Sequence, residues 1–207
     1  LRLIIDEACS GVEDVSSEAV FDLIDKNIYD GIKKEDLSSS ILISIRPLIE
    51  KDPNYSYVVA RLLLSSLYEE GLTFLNFKNN SPTIKEMSKS YPDYFKAYIT
   101  KAVELELIDK ELLNYDMDLI AKNINPSKDL AFTYLGLQTL YDRYFIHEQG
   151  KRFELPQAFF MRVAMGLAIN EENREERTIE FYNLISSFDF MCSTPTLFNS
   201  GTLRPQL

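Results

Sequence analysis

The chain has 207 residues, with 22 Lys and Arg against 32 Asp and Glu and a formal net charge of −10. That acidic balance argues against sequence-independent attraction to nucleic acid, which depends on basic side chains neutralising phosphates. The length suffices to bury roughly 70% of the surface an unfolded chain exposes, so no disulfide or metal staple is needed, and no apolar run approaches the roughly 20 residues of a membrane span.

The N-terminus carries neither the basic flank nor the cleavage site of a signal peptide, so a cytosolic protein is expected. Opening on Leu1 and closing on Leu207, the sequence reads as a piece of a longer polypeptide. Cys9 and Cys192 lie far apart, which fits a reducing compartment and two small buried hydrophobes. The single histidine, His147, sits among polar residues in Ile146-His-Glu-Gln-Gly150 and reads as a solvent-facing turn residue rather than a metal ligand.

Apolar residues recur at helical spacing almost throughout, which predicts an all-α fold. A first helix ends near Cys9, with Gly11 as its stop signal. Ser16 or Ser17 caps a second over 18–29, with Val20, Phe21, Leu23, Ile24 and Ile28 on its apolar face. A third spans 35–50, kinked or shortened at Pro47, and Asp52-Pro53 opens a fourth that stops at Gly71. Asn79-Asn80-Ser81-Pro82 marks a loop, placing a boundary between a unit at 1–75 and a larger helical domain at 76–190. Helices follow near 84–89, 92–107, 110–120 and 131–144. Between 144 and 154 the pattern shifts to period two around Gln149-Gly150, which predicts a short β-hairpin. Pro156 opens a strongly apolar helix over 157–169, with Phe159, Phe160, Val163, Ala164 and Leu167 as core. Glu171 begins the last one, to 188, while Arg143, Arg152 and Arg162 read as surface or paired.

Residues 191–207 differ from everything before them. Thr194-Pro195 predicts an extended dipeptide, Asn199-Ser200-Gly201 predicts a turn, and hydroxyls at Ser193, Thr194, Thr196, Ser200 and Thr202 suit phosphate or sugar oxygens. Asp22, Asp25, Asp30, Glu35 and Asp36 lack the loop spacing of a calcium site and read as a solvated helix face and caps. Lys33 and Lys34 precede a helix, where ammonium groups and free backbone N–H groups can receive a phosphate.

The segment Thr-Pro-Thr-Leu-Phe-Asn-Ser-Gly-Thr at 194–202 resembles the start of the catalytic barrel in the large (alpha) subunit of class I ribonucleotide reductases. Gln138-Thr-Leu-Tyr-Asp-Arg-Tyr-Phe145 and the block from Arg152 to Leu167 resemble the same family, in the same order. Tyr29-Asp-Gly-Ile-Lys33 and the run from Asp52 to Leu62 resemble the back half of an ATP cone, the nucleotide-sensing module at the N-terminus of many such subunits. The resemblance implies a substrate-binding role for Thr194, facing a ribonucleoside diphosphate, and makes Lys34 the remaining candidate for an allosteric nucleotide contact. A later lysine of nucleotide-binding cones is replaced by Glu69, whose carboxylate repels a triphosphate. No catalytic residue and no metal site is assigned to these 207 residues. The first redox cysteine is expected after a Leu-Ser-Ser sequence starting at Leu207, so Cys192 is not that cysteine.

By the same resemblance the whole subunit is a homodimer regulated by ATP and dNTP effectors. It works with a small radical-generating beta subunit that carries a metal-radical cofactor, and with thioredoxin or glutaredoxin as reductant. The alternative reading is a non-catalytic helical module that senses nucleotide or docks a partner; its best support is the acidic amphipathic stretch at 104–118.

Overall fold

A computed structural model describes residues 1–29, 31–79 and 82–204; the side chains of Lys34 and Glu35 fall outside that description. Among the described residues there are eleven α-helices, two 3-10 turns and one two-stranded hairpin, as the helical periodicity predicts. Among the described residues no helix is long and apolar enough to cross a membrane.

The first five helices are α1 (Arg2–Cys9), α2 (Ser17–Asn27), α3 (Lys34–Ile45), α4 (Leu48–Lys51) and α5 (Tyr55–Phe74). Ser16 caps α2 by accepting from the Ala19 N–H at 3.2 Å, and Pro47 divides the predicted third helix into α3 and α4. Ile5, Val20, Ile24, Ile45, Leu48 and Val58 close an N-terminal cluster. The helix α5 runs past Gly71 instead of stopping there. A mid-helix glycine costs only ~1 kcal/mol, which the burial of Leu72 beyond it outweighs.

The helix α6 (Ile84–Glu104) also crosses its predicted break. Pro92 lies inside it, yet Met87 and Tyr91 before the proline and Tyr94, Phe95, Tyr98 and Ile99 after it share one fully buried face. That face holds the helix together across a residue that costs ~3 kcal/mol in a helix interior. Thr83 and Glu86 form a capping box at its start, and the Glu7 carboxylate on α1 accepts from the Ile84 N–H at 3.0 Å. The Asn79–Pro82 loop falls partly outside the described residues, at Asn80 and Ser81.

The predicted helix at 110–120 is instead a 3-10 turn (Lys110–Asn114) followed by α7 (Met117–Lys122), because Asp116 caps a new start by accepting from the Leu119 N–H at 3.0 Å. A second 3-10 turn (Pro126–Ala131) leads to α8 (Tyr134–Arg143). The hairpin pairs β1 (His147–Glu148) with β2 (Lys151–Arg152) through Gln149 and Gly150, both at positive φ as a two-residue hairpin turn requires. Then follow α9 (Pro156–Leu167), α10 (Arg174–Ser186) and α11 (Thr194–Asn199). The larger cluster surrounds α9, whose Ala158, Phe159, Phe160, Met161, Val163, Ala164 and Met165 are all buried; α5 contributes to both clusters.

One polar network inside this core is matched around Asp129. Asp129 is buried, taking 2.7 Å from Gln157 Nε2 and 3.2 Å from the Tyr68 hydroxyl, while Tyr182 donates to Gln157 Oε1 at 2.7 Å. Burial pushes the Asp129 carboxyl up to about 7, against the opposing pull of its two donors. A carboxyl raised in the folded state binds its proton more tightly there than in the unfolded chain. Its contribution to stability is therefore complete below its unfolded value near 3.8 and is lost as pH rises through about 7. Thermal unfolding followed from pH 8 to pH 5 is expected to show a midpoint that rises on acidification. Asp129→Asn, which keeps a carbonyl for Gln157 and an amide against Tyr68, is expected to flatten that slope; an identical slope in both proteins contradicts the assignment.

Candidate functional site

The C-terminal segment is bound to the helical domain by a buried ion pair. Arg162, in the middle of the apolar helix α9, and Glu154, just before it, are both fully buried. Arg162 Nε donates to Glu154 Oε1 at 2.7 Å and its Nη2 to Oε2 at 3.3 Å. The remaining oxygen sites of Glu154 take the Tyr98 hydroxyl at 2.5 Å and the Ile146 N–H at 2.9 Å. Burial opposes the Arg162 charge and the Glu154 carboxylate outweighs it, holding the guanidinium above its ordinary value.

The free arm of Arg162 reaches the tail. Its Nη1 donates to the Ser200 carbonyl at 2.6 Å and its Nη2 to that of Leu197 at 3.5 Å, meeting the C-terminal end of α11. Ser200 returns a bond from its hydroxyl to the Val163 carbonyl at 2.7 Å. Gly201, at φ +73°, lies so close to Gly166 that a Cβ there would stand 2.1 Å from the Gly201 nitrogen. The Gly201 carbonyl accepts from the Asp109 N–H at 2.9 Å, and Thr202 bridges to Ile108. Every one of these contacts fixes the height and direction of α11.

At the start of α11 stands Thr194. The expectation of an extended Thr194-Pro195 dipeptide is corrected here: Ser193 is the extended residue, at φ −62° and ψ 155°, and Thr194 already belongs to the helix, with Pro195 in its first turn. The cause is that proline suits a helix's first turn, where its missing N–H has no intrahelical partner. The Thr194 hydroxyl lies 3.2 Å from that of Tyr144, which closes α8. Both residues line a cleft of about 880 Å³ with Arg143, His147, Asn199 and Arg204, and both line an apolar cleft of about 550 Å³ walled by Phe132, Phe160 and Phe188.

The other predicted site residue is elsewhere. Lys34 opens α3, and its side chain lies outside the described residues. Cys9 and Cys192 are half-buried rather than buried, and burial pushes both thiols up, away from the thiolate form. Among the described residues no group of three or more His, Cys, Asp or Glu side chains is placed to hold a metal ion.

Residues 130–205 match the family described as the all-alpha domain of ribonucleotide reductase, a stretch that contains Tyr144, Glu154, Arg162 and Thr194. The chain is 42% identical over 202 residues to the ribonucleoside-diphosphate reductase subunit alpha of Chlamydia muridarum, a match covering 97% of this chain and 19% of that protein. The chain belongs to the ribonucleotide reductase large-subunit family. It corresponds to the N-terminal part of such a subunit. Further relatives are the alpha subunit of Helicobacter pylori, 34% identical over 181 residues covering 86% of this chain and 21% of that one, and the large chain of Schizosaccharomyces pombe, 28% identical over 207 residues covering 98% and 24%. The chain thus spans about a fifth of the length of the curated relatives it matches.

Sequence reasoning passed over Tyr144 and Glu154; of its two readings of Arg162, surface or paired, the structure shows the second, with Glu154 as the partner. The signal was present in the last case: an arginine inside Ala-Phe-Phe-Met-Arg-Val-Ala-Met must find a counter-charge if that helix is buried.

Proposed function

We propose that this chain is the helical support for the substrate site of a class I ribonucleoside-diphosphate reductase, and that Thr194 contributes a hydrogen bond to the bound ribonucleoside diphosphate. The single observation that carries the reading is the anchoring of residues 197–202 on Arg162, Val163 and Asp109, which holds Thr194 at the edge of a cleft that also contains Arg143, His147 and Arg204. A tail fixed in this way gives its hydroxyl a defined position, and a short side chain on a rigid mount loses little freedom when it binds.

The complete subunit, acting in the cytosol as a homodimer, reduces the ribose in this reading. The metal-radical cofactor of the small beta subunit would start the radical chemistry and be regenerated in each turnover, and a cysteine pair re-reduced by thioredoxin or glutaredoxin would supply the two electrons. The 207 residues bind and orient; the reacting thiols belong to the remainder of the polypeptide. Residues 1–75 derive from an ATP cone, with Lys34 as the remaining contact for an ATP or dNTP effector, 76–190 form the helical domain, and 191–207 lead into the barrel.

The test is Thr194→Val in the full-length subunit assayed with its radical-generating partner. A hydrogen bond to a charged group contributes ~1.5–3 kcal/mol, so kcat/KM is expected to fall about 10- to 100-fold, while Thr194→Ser stays close to the parent. An unchanged kcat/KM in Thr194→Val rejects the role and favours the non-catalytic helical module.

A further inference from the structure

We propose that Tyr144 is a positioning residue for the substrate: its phenol donates to the Thr194 hydroxyl and so leaves the threonine proton directed at an acceptor oxygen of the nucleoside diphosphate. The inference rests on the reading of Thr194 given above and adds a second residue, with a defined job, to that site.

The geometry favours it on three counts. First, the two oxygens are 3.2 Å apart, and a hydroxyl offers one proton and two lone pairs. When Tyr144 donates, a lone pair of Thr194 is occupied and its own proton is free for a ligand. The phenol is the more acidic of the two groups, and therefore the better donor. Second, the Tyr144 ring cannot swing away. It stacks on Phe198 at 4.5 Å and 19°, meets Phe159 edge-on at 6.3 Å, and its N–H is bonded to the Leu140 carbonyl at 2.9 Å. Phe198 belongs to the same short helix as Thr194, so the stack also keeps the two hydroxyls in register. Third, the remaining hydroxyls of the tail have other commitments. Ser200 donates to Val163 and Thr202 to the Asn199 carbonyl at 2.8 Å, while Ser193 and Thr196 bond each other at 3.0 Å. Of the five hydroxyls that the sequence presents, Thr194 is the one paired with a donor fixed on the helical domain.

Because Tyr144 and Thr194 together line both clefts, the pair also stands between the space of Arg143 and Arg204 and the space of Phe132 and Phe160. A nucleotide lying in the cleft of Arg143 and Arg204 meets the threonine proton there.

The experiment is a double-mutant cycle in the full-length subunit, with CDP as the probe, read as KM and kcat with the small subunit present and as thermal midpoint. Tyr144→Phe keeps the stacking ring and removes only the hydroxyl. It is expected to raise KM about three- to tenfold with kcat and midpoint unchanged, the size of one neutral hydrogen bond. Added to Thr194→Val it is expected to cost nothing further, because the group it positions is gone. Losses that add in the double variant, or a parental KM in Tyr144→Phe while Thr194→Val is impaired, overturn the role of Tyr144 and leave that of Thr194 standing. A parental KM in Thr194→Val overturns both.

Discussion

Replacing Arg162 with methionine is expected to destabilise the chain by about 3–5 kcal/mol, the cost of leaving one partner of a buried ion pair uncompensated. The substitution keeps most of the volume and removes the charge. Glu154 then keeps only the Tyr98 hydroxyl and the Ile146 N–H as donors, at a site with no access to water, and the carbonyls of Ser200 and Leu197 lose the guanidinium. Buried ion pairs are often replaceable as a unit by apolar side chains, but this one differs. It also satisfies three backbone groups, the Ile146 N–H and the Ser200 and Leu197 carbonyls. The double change Arg162→Met with Glu154→Met is therefore expected to recover only part of the loss. Denaturant midpoints of the parent and the two variants check this; an Arg162→Met protein within about 1 kcal/mol of the parent, on the order of the ordinary surface substitution, contradicts the account.

Gly166→Ala is expected to free the C-terminal segment. The alanine methyl would stand 2.1 Å from the Gly201 nitrogen, 2.4 Å from Ser200 Oγ and 2.7 Å from Gly201 Cα, and the backbone atoms among these cannot rotate out of the way. The tail must therefore move, breaking the Ser200–Val163 and Gly201–Asp109 bonds that the present spacing permits. Overpacking of this kind costs about 1–3 kcal/mol even though alanine improves helix propensity by nearly 1 kcal/mol, so the sign of the result is informative. Limited proteolysis is expected to cut within 191–204 faster than in the parent, and KM for the nucleoside diphosphate is expected to rise with it. A variant as stable and as resistant as the parent would show that the approach of Gly201 to α9 is not a constraint.

What the sequence made legible follows from the range of the interactions involved. Periodicity and caps are local, and they placed the helices around Ser16, Pro47 and Pro156 and the hairpin turn at Gln149-Gly150. The breaks at Gly71 and Pro92 were misread because each is decided by burial far along the chain. Leu72 packs into the core that α9 occupies, and the Tyr94 hydroxyl takes the Leu155 N–H at 2.8 Å while donating to the Phe153 carbonyl at 2.7 Å. The site divides in the same way. Thr194 was singled out through its motif, which is contiguous. Tyr144 was not, since fifty positions separate two hydroxyls that meet only after α8 and α11 are placed. Arg162 announced a buried charge, but nothing in its own neighbourhood of sequence said that its second arm would cap residues 197–200.

The most direct measurement is the structure of the full-length subunit with CDP bound, and in it the distance from Thr194 Oγ1 to the nearest ligand oxygen. The account requires that distance to be about 2.7–3.0 Å, with Tyr144 still bonded to Thr194 and Arg162 still capping α11. A nucleotide seated away from Thr194, or a tail lifted off Arg162 in the bound state, would contradict it.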